Sequence, residues 1–126
     1  MNNYKPTEAE LEILSILWNH GASTVREVND QLSKKRNVGY TTTLKMMQLM
    51  TEKGLLDRSL VGRTHIYSVL LREEDVQNRL MNRLLETAFG GSAKKLILQA
   101  LGNHRASSEE LIEIKEMIKK MEEGEV

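Results

Sequence analysis

Thr41, Lys45 and Gln48 recur at intervals of four and three, so a helix would carry them on one side, with Tyr40 and Thr42 beside them in its first turn. These side chains have the chemistry of base-edge recognition. A threonine hydroxyl donates or accepts a hydrogen bond and its methyl packs on a thymine methyl. Lysine reaches guanine acceptors or a phosphate, and glutamine pairs with adenine. Aligned amides at the start of such a helix add attraction for a phosphate. Downstream, Arg58 and Arg63 flank a hairpin with a tight Gly62-Arg63-Thr64 turn, where contact with phosphates or a minor groove is geometrically natural. Blander readings compete. Hydroxyls in Thr41-Thr42-Thr43 could cap the helix backbone, which suits one of the three better than all of them. The two arginines could simply keep a hairpin in solution.

Covalent chemistry lacks its parts. The chain has no cysteine and no glycine-rich phosphate loop, and its three histidines, His20, His65 and His104, stand at no ligand spacing. Its carboxylates cluster at helix starts and on solvated faces, where the helix dipole explains them. The expectation is a non-enzymatic protein without cofactor or metal.

The elements that position the candidate residues can be read in order. Thr7 with Glu10 forms a capping box, Leu11, Leu14, Leu17 and Trp18 follow at helical spacing, and Gly21 stops the helix. A second box, Thr24 with Glu27, opens a shorter helix with Val25, Val28 and Leu32 facing inward. Lys34-Lys35-Arg36 then lies in a loop, as a solvated connector or a phosphate contact. The third helix runs from about Tyr40 to Lys53-Gly54, with Thr43, Leu44, Met47 and Met50 on its inner side. Leu49 projects with the polar residues. Leu56–Val61 and His65–Val69 read as a hairpin, with Tyr67 packing beneath it. Three helices followed by a hairpin is the order of the winged helix-turn-helix, whose third helix enters the DNA major groove.

From Glu73 the character changes. A helix with Val76, Leu80, Leu84 and Ala88 on one face runs to Phe89 and breaks at Gly90-Gly91. The next, Ser92 to about Leu101, contains Leu96, Ile97 and Leu98, which together sweep about 200° of helix surface. The last opens with Ser107 and Glu110 as a capping box. It carries Leu111, Ile114, Ile118 and Met121 in a seam of coiled-coil type. So much apolar surface on so small an arm implies a second copy of the chain to cover it. The fold expected is mainly α with a small β-hairpin: a winged-helix domain over 1–72 and a helical dimerisation domain over 73–126.

The charge agrees with that division. Net charge is zero, but residues 1–72 carry 10 Lys+Arg against 7 Asp+Glu, and residues 73–126 carry 8 against 11. Polyanion contact therefore belongs to the front half. The polar opening MNNYKP and the lack of a long apolar run predict neither a signal peptide nor membrane insertion, hence the cytoplasm.

The segments TEAELEILSILW, VGYTTTLKMMQLMTEKGLL and GRTHIYSV resemble the BlaI/MecI/CopY family of bacterial repressors, over nearly the whole chain and including the FGG break and the LILQAL helix. The resemblance implies a homodimeric winged-helix repressor of an antibiotic-resistance or metal-homeostasis operon. The double-stranded operator would be an inverted repeat built around TACA/TGTA. Tyr40, Thr41, Thr42 and Lys45 would then face the groove, with Arg63 in the wing. In the β-lactam branch it implies a membrane metallopeptidase sensor as partner, and release by cleavage of an Asn-Phe bond in the helix corresponding to LILQAL. Here those positions are Gln99 and Ala100, so the family's scissile pair is absent. The copper-responsive branch binds metal through carboxyl-terminal cysteines, which this chain lacks. Leu49 falls where relatives often carry a basic residue.

Two other functions fit the same elements. One is a repressor released by a small molecule bound between wing domain and arm, although few aromatic residues are available to line such a pocket. The other is a winged helix used for protein interaction without DNA, favoured by Leu49 alone.

Overall fold

A computed structural model describes residues 5–102 and 105–124. It contains α1 (Glu8–His20), α2 (Val25–Ser33), α3 (Tyr40–Glu52), β1 (Leu56–Val61), β2 (Thr64–Val69), α4 (Glu73–Thr87), α5 (Ala93–Leu101) and α6 (Ser108–Glu122). It is mainly helical with one antiparallel hairpin. Contacts divide the chain into two compact units, Met1–Leu80 and Met81–Val126. The divide falls inside α4, whose Val76 is buried, rather than at its start.

In the first unit, both amino-terminal capping boxes form. The Thr7 hydroxyl accepts from the Glu10 amide (3.1 Å), and the Glu10 carboxylate accepts from the Thr7 amide (3.0 Å). Thr24 and Glu27 repeat this at 3.1 and 2.8 Å. Two amides at the start of each helix are thereby satisfied before any tertiary contact forms. The core joins Ile13, Leu14 and Leu17 of α1 to Val25, Val28 and Leu32 of α2, Met47 and Met50 of α3, Leu55, Leu56 and Tyr67. Leu11, one of the four residues at helical spacing, is only half-buried, and Ile13, outside that set, is fully buried. Helix α1 packs against α2, α3 and β2, so its buried arc is set by three neighbours rather than by one stripe. Trp18 packs at the core's edge and its indole N–H donates to the Leu71 carbonyl at 3.1 Å.

The hairpin pairs Leu56 with Val69 through to Val61 with Thr64, leaving Gly62-Arg63 as a two-residue turn. Thr64, expected in the turn, thus opens β2. Gly62 has φ +65, which the primed turns of two-residue hairpins require and which side chains resist. Ser23, between α1 and α2, exchanges two backbone hydrogen bonds with Tyr67 (3.0 and 2.8 Å). The wing is therefore tied to the helices on one flank.

In the second unit, α5 and α6 start where the Ser92 and Ser107 hydroxyls accept from the amides of Lys95 (3.2 Å) and Glu110 (3.1 Å). Of the box expected at Ser107, this serine half is the one observed. Helix α4 ends at Thr87, two residues short of expectation. Among the described residues of this unit none is buried.

Candidate nucleic-acid interface

The position of α3 is fixed from its inner side. Gly39 is its N-cap and supplies no capping side chain. Asn29 of α2 acts instead: with its amide nitrogen turned toward α3, it donates to the carbonyls of Val38 (3.1 Å) and Gly39 (3.3 Å) and to the Thr43 hydroxyl (2.7 Å). Thr43 is 0% exposed, and its hydroxyl lies 3.4 Å from the Gly39 carbonyl that it can donate to. Of the three consecutive threonines, then, one is structural, and Thr41 and Thr42 are left exposed. At the other end of α3, the Lys53 ammonium meets the buried Glu10 carboxylate at 2.9 Å. One carboxylate thus caps α1 and holds the end of α3.

The outward face of α3 presents Thr41, Thr42, Lys45 and Gln48, all exposed, and Tyr40 is exposed at the start of the helix. Leu49, 45% exposed, lies among them, as its spacing indicated. Arg58 is exposed on β1, opposite Tyr67 across the ladder, and Arg63 is exposed in the turn. Tyr67 itself is buried, as expected of a residue beneath the wing. Among the described residues Lys45, Arg58 and Arg63 enter no ion pair. Arg36 is different: it reaches back to Glu12 of α1 at 2.6 Å, so the connector run is partly committed to holding α2 against α1.

The three-dimensional arrangement adds one residue that sequence reading passed over, Arg26. The Arg26 guanidinium of α2 sits 5.2 Å from the centre of the Tyr40 ring, a cation–π contact worth about 0.5–1 kcal/mol at an exposed site. An open cleft of about 450 Å³ lies between the starts of α2 and α3 and the wing, lined among others by Arg26, Tyr40, Arg63, Thr64 and His65. Arg58 does not line it. Arg26 carries one usable signal in sequence: it follows a capping threonine at the start of the helix preceding the candidate reading helix. That alone does not reveal its pairing with Tyr40, fourteen residues on.

In the second unit the residues read as a dimer seam remain uncovered. Leu84, Ile97, Leu98, Leu111, Ile118 and Met121 are exposed, and Leu96 and Ile114 are half-buried. Met117, also exposed, extends the α6 stripe, and Ile112 stands off it. Gln99 and Ala100 are exposed on α5.

Three helices, a hairpin and a polar outer face on the third helix define a winged-helix DNA-binding regulator. The fold is similar to that of a MarR family protein from Bacillus stearothermophilus (TM-score 0.54, 20% identity, covering 97% of this chain and 76% of that one). Residues 6–120 match the penicillinase repressor family, and the chain belongs to it. It is 27% identical over 112 residues to the penicillinase repressor of Bacillus licheniformis, covering 89% of this chain and 88% of that protein. It is 20% identical over 117 residues to the methicillin resistance regulatory protein MecI of Mammaliicoccus sciuri, covering 93% and 95%. The protein is accordingly a DNA-binding transcriptional repressor and not an enzyme. Among the described residues no helix is long and apolar enough to cross a membrane.

Proposed function

We propose that the chain is a homodimeric repressor that places two copies of α3 in successive major grooves of an inverted-repeat operator. The observation that carries this reading is the outer face of α3. Thr41, Thr42, Lys45 and Gln48 are exposed together there, with Tyr40 exposed at the start of the helix, while Thr43, Met47 and Met50 fix the opposite side in the core. Tyr40, Thr41, Thr42 and Gln48 read base edges, Lys45 reaches a guanine or a phosphate, and Arg58 and Arg63 hold the flanking backbone.

The remainder of the chain, from Glu73 on, supplies the dimer contact. Beyond Leu80 no described residue is buried, and a unit with exposed apolar residues on α4, α5 and α6 gains stability by packing against a second copy. Two half-sites joined in one dimer bind far more tightly than either half alone, so damage to the arm releases the operator without touching α3. Proteolysis in the arm, by a membrane metallopeptidase sensor, is the release step that family membership favours; Gln99-Ala100 occupies the corresponding place. The test is stoichiometry. The intact protein is expected to bind a duplex with two half-sites as a dimer, and a duplex with one half-site at least tenfold more weakly. Equal affinity for the two duplexes refutes the dimeric reading.

A further inference from the structure

We propose that the cleft between α2, α3 and the wing seats one DNA backbone phosphate, gripped by Arg26 and Arg63, with the Tyr40 ring as its wall. The proposal rests on the DNA-binding reading and adds to it a residue, Arg26, on a different helix from the reading face. Four observations converge. Two guanidinium groups from separate elements, α2 and the β1–β2 turn, line the same cleft. Neither forms an ion pair among the described residues, so neither charge is spent within the unit. No lining residue of the cleft is acidic, in a chain with 18 Asp and Glu. The rim residues Arg26, Tyr40, Arg63 and His65 are exposed, so an extended polymer can enter from outside.

The chemistry favours a phosphodiester. A guanidinium offers paired N–H donors matched to phosphate oxygens, and its weak hydration lets it stack on an aromatic ring while donating at its edge. Arg26 lies 5.2 Å from the Tyr40 centroid, which restricts the guanidinium before any ligand arrives. Two amides at the start of α2, those of Thr24 and Glu27, are already taken by the capping box, so the grip is assigned to the guanidinium groups. The location also suits the duplex: Tyr40 opens α3, so a phosphate held beside it belongs to the strand flanking the bases that Thr41 and Thr42 would meet. Arg26 thus sets the depth and register of the reading helix.

The test measures binding of the intact protein and its Arg26→Ala, Arg26→Lys, Arg63→Ala and doubly alanine-substituted variants. The probes are a duplex carrying a TACA/TGTA inverted repeat and a scrambled duplex of equal length, each across a range of salt. A phosphate contact carries no sequence information, so Arg26→Ala is expected to weaken both complexes by a similar factor, about tenfold. The double variant is expected to lower the slope of log affinity against log salt by about one, and to depart more than twofold from the product of the single losses. Arg26→Lys is expected to retain the salt slope. Losses confined to the inverted repeat, with the slope unchanged, would make Arg26 a prop for Tyr40 and overturn the phosphate seat. Simple additivity of the two arginines would overturn the shared seat. A wild type that binds while Arg26→Ala binds equally well defeats this inference alone. A wild type that binds neither duplex defeats the DNA-binding reading and the seat with it.

Discussion

Replacing Asn29 with alanine is expected to loosen the start of α3 from within. The two hydrogens of the side-chain amide are shared among three acceptors, the Val38 and Gly39 carbonyls and the Thr43 hydroxyl. Their losses are unequal. Gly39 is exposed and Val38 only half-buried, so water replaces Asn29 at both carbonyls and each bond costs about 0.5 kcal/mol. Thr43 is fully buried, and its hydroxyl keeps only the longer contact to Gly39 at 3.4 Å, which puts that loss at about 1 kcal/mol. The sum, about 2 kcal/mol, corresponds to a fall of about 6–10 °C in Tm for a chain of this size. Thermal unfolding followed by circular dichroism reads it directly. Asn29→Asp separates the cause: a carboxylate can still accept from Thr43 but repels the two carbonyls, so it is expected to destabilise at least as much as alanine. A near-neutral Asn29→Asp variant would refute the assignment of the amide nitrogen as the group that holds α3.

Other perturbations probe separate links. Ile118 is 49% exposed on α6, and its burial by a partner would contribute about 1 kcal/mol per copy. Ile118→Ala is therefore expected to weaken the dimer about thirtyfold, since the change occurs twice in each dimer, as sedimentation across a concentration series would show. An unchanged dissociation constant would remove Ile118 from the seam. Gly62→Val meets no steric obstacle at its Cβ but must hold φ near +65, so it is expected to cost about 1–2 kcal/mol and to fray the wing, visible as faster amide exchange along β1 and β2 next to the turn. Lys53→Ala takes a cation from a carboxylate that is 7% exposed. Because Lys53 is itself 56% exposed, the expected loss is about 1 kcal/mol, and less in high salt.

Much of this architecture was legible in sequence because its signals are local. Thr7-Glu10 and Thr24-Glu27 satisfy amides three residues away, and a tight turn at Gly62 needs no distant partner. The inward set on α3 followed from helical period, and so did the outward Leu49. What escaped was what distance in sequence conceals. Arg26 and Tyr40 meet only because α2 and α3 cross. Glu10 reads as a cap and nothing in its neighbourhood announces Lys53, forty-three residues on. Helical period turns Thr43 inward, but nothing near it in sequence announces Asn29 of α2 as its partner. Ile13, outside the spaced set, is buried because three elements, not one, press on α1. Met117 and Ile112 were missed for another reason. A seam chosen for regular spacing leaves out Met117, which widens it on one side, and Ile112, which is exposed on another side of the helix.

The most direct measurement is the affinity of the purified protein for its own upstream DNA and for a scrambled duplex, with Lys45→Ala beside the wild type and salt varied for each. The account predicts tighter binding to the upstream DNA, weakening steeply with salt, and a clear loss of that preference or of salt slope when Lys45 is removed. Equal, feeble binding to both duplexes, unaffected by Lys45, would contradict it. The exposed face of α3, with Leu49 at its centre, would then belong to a protein partner.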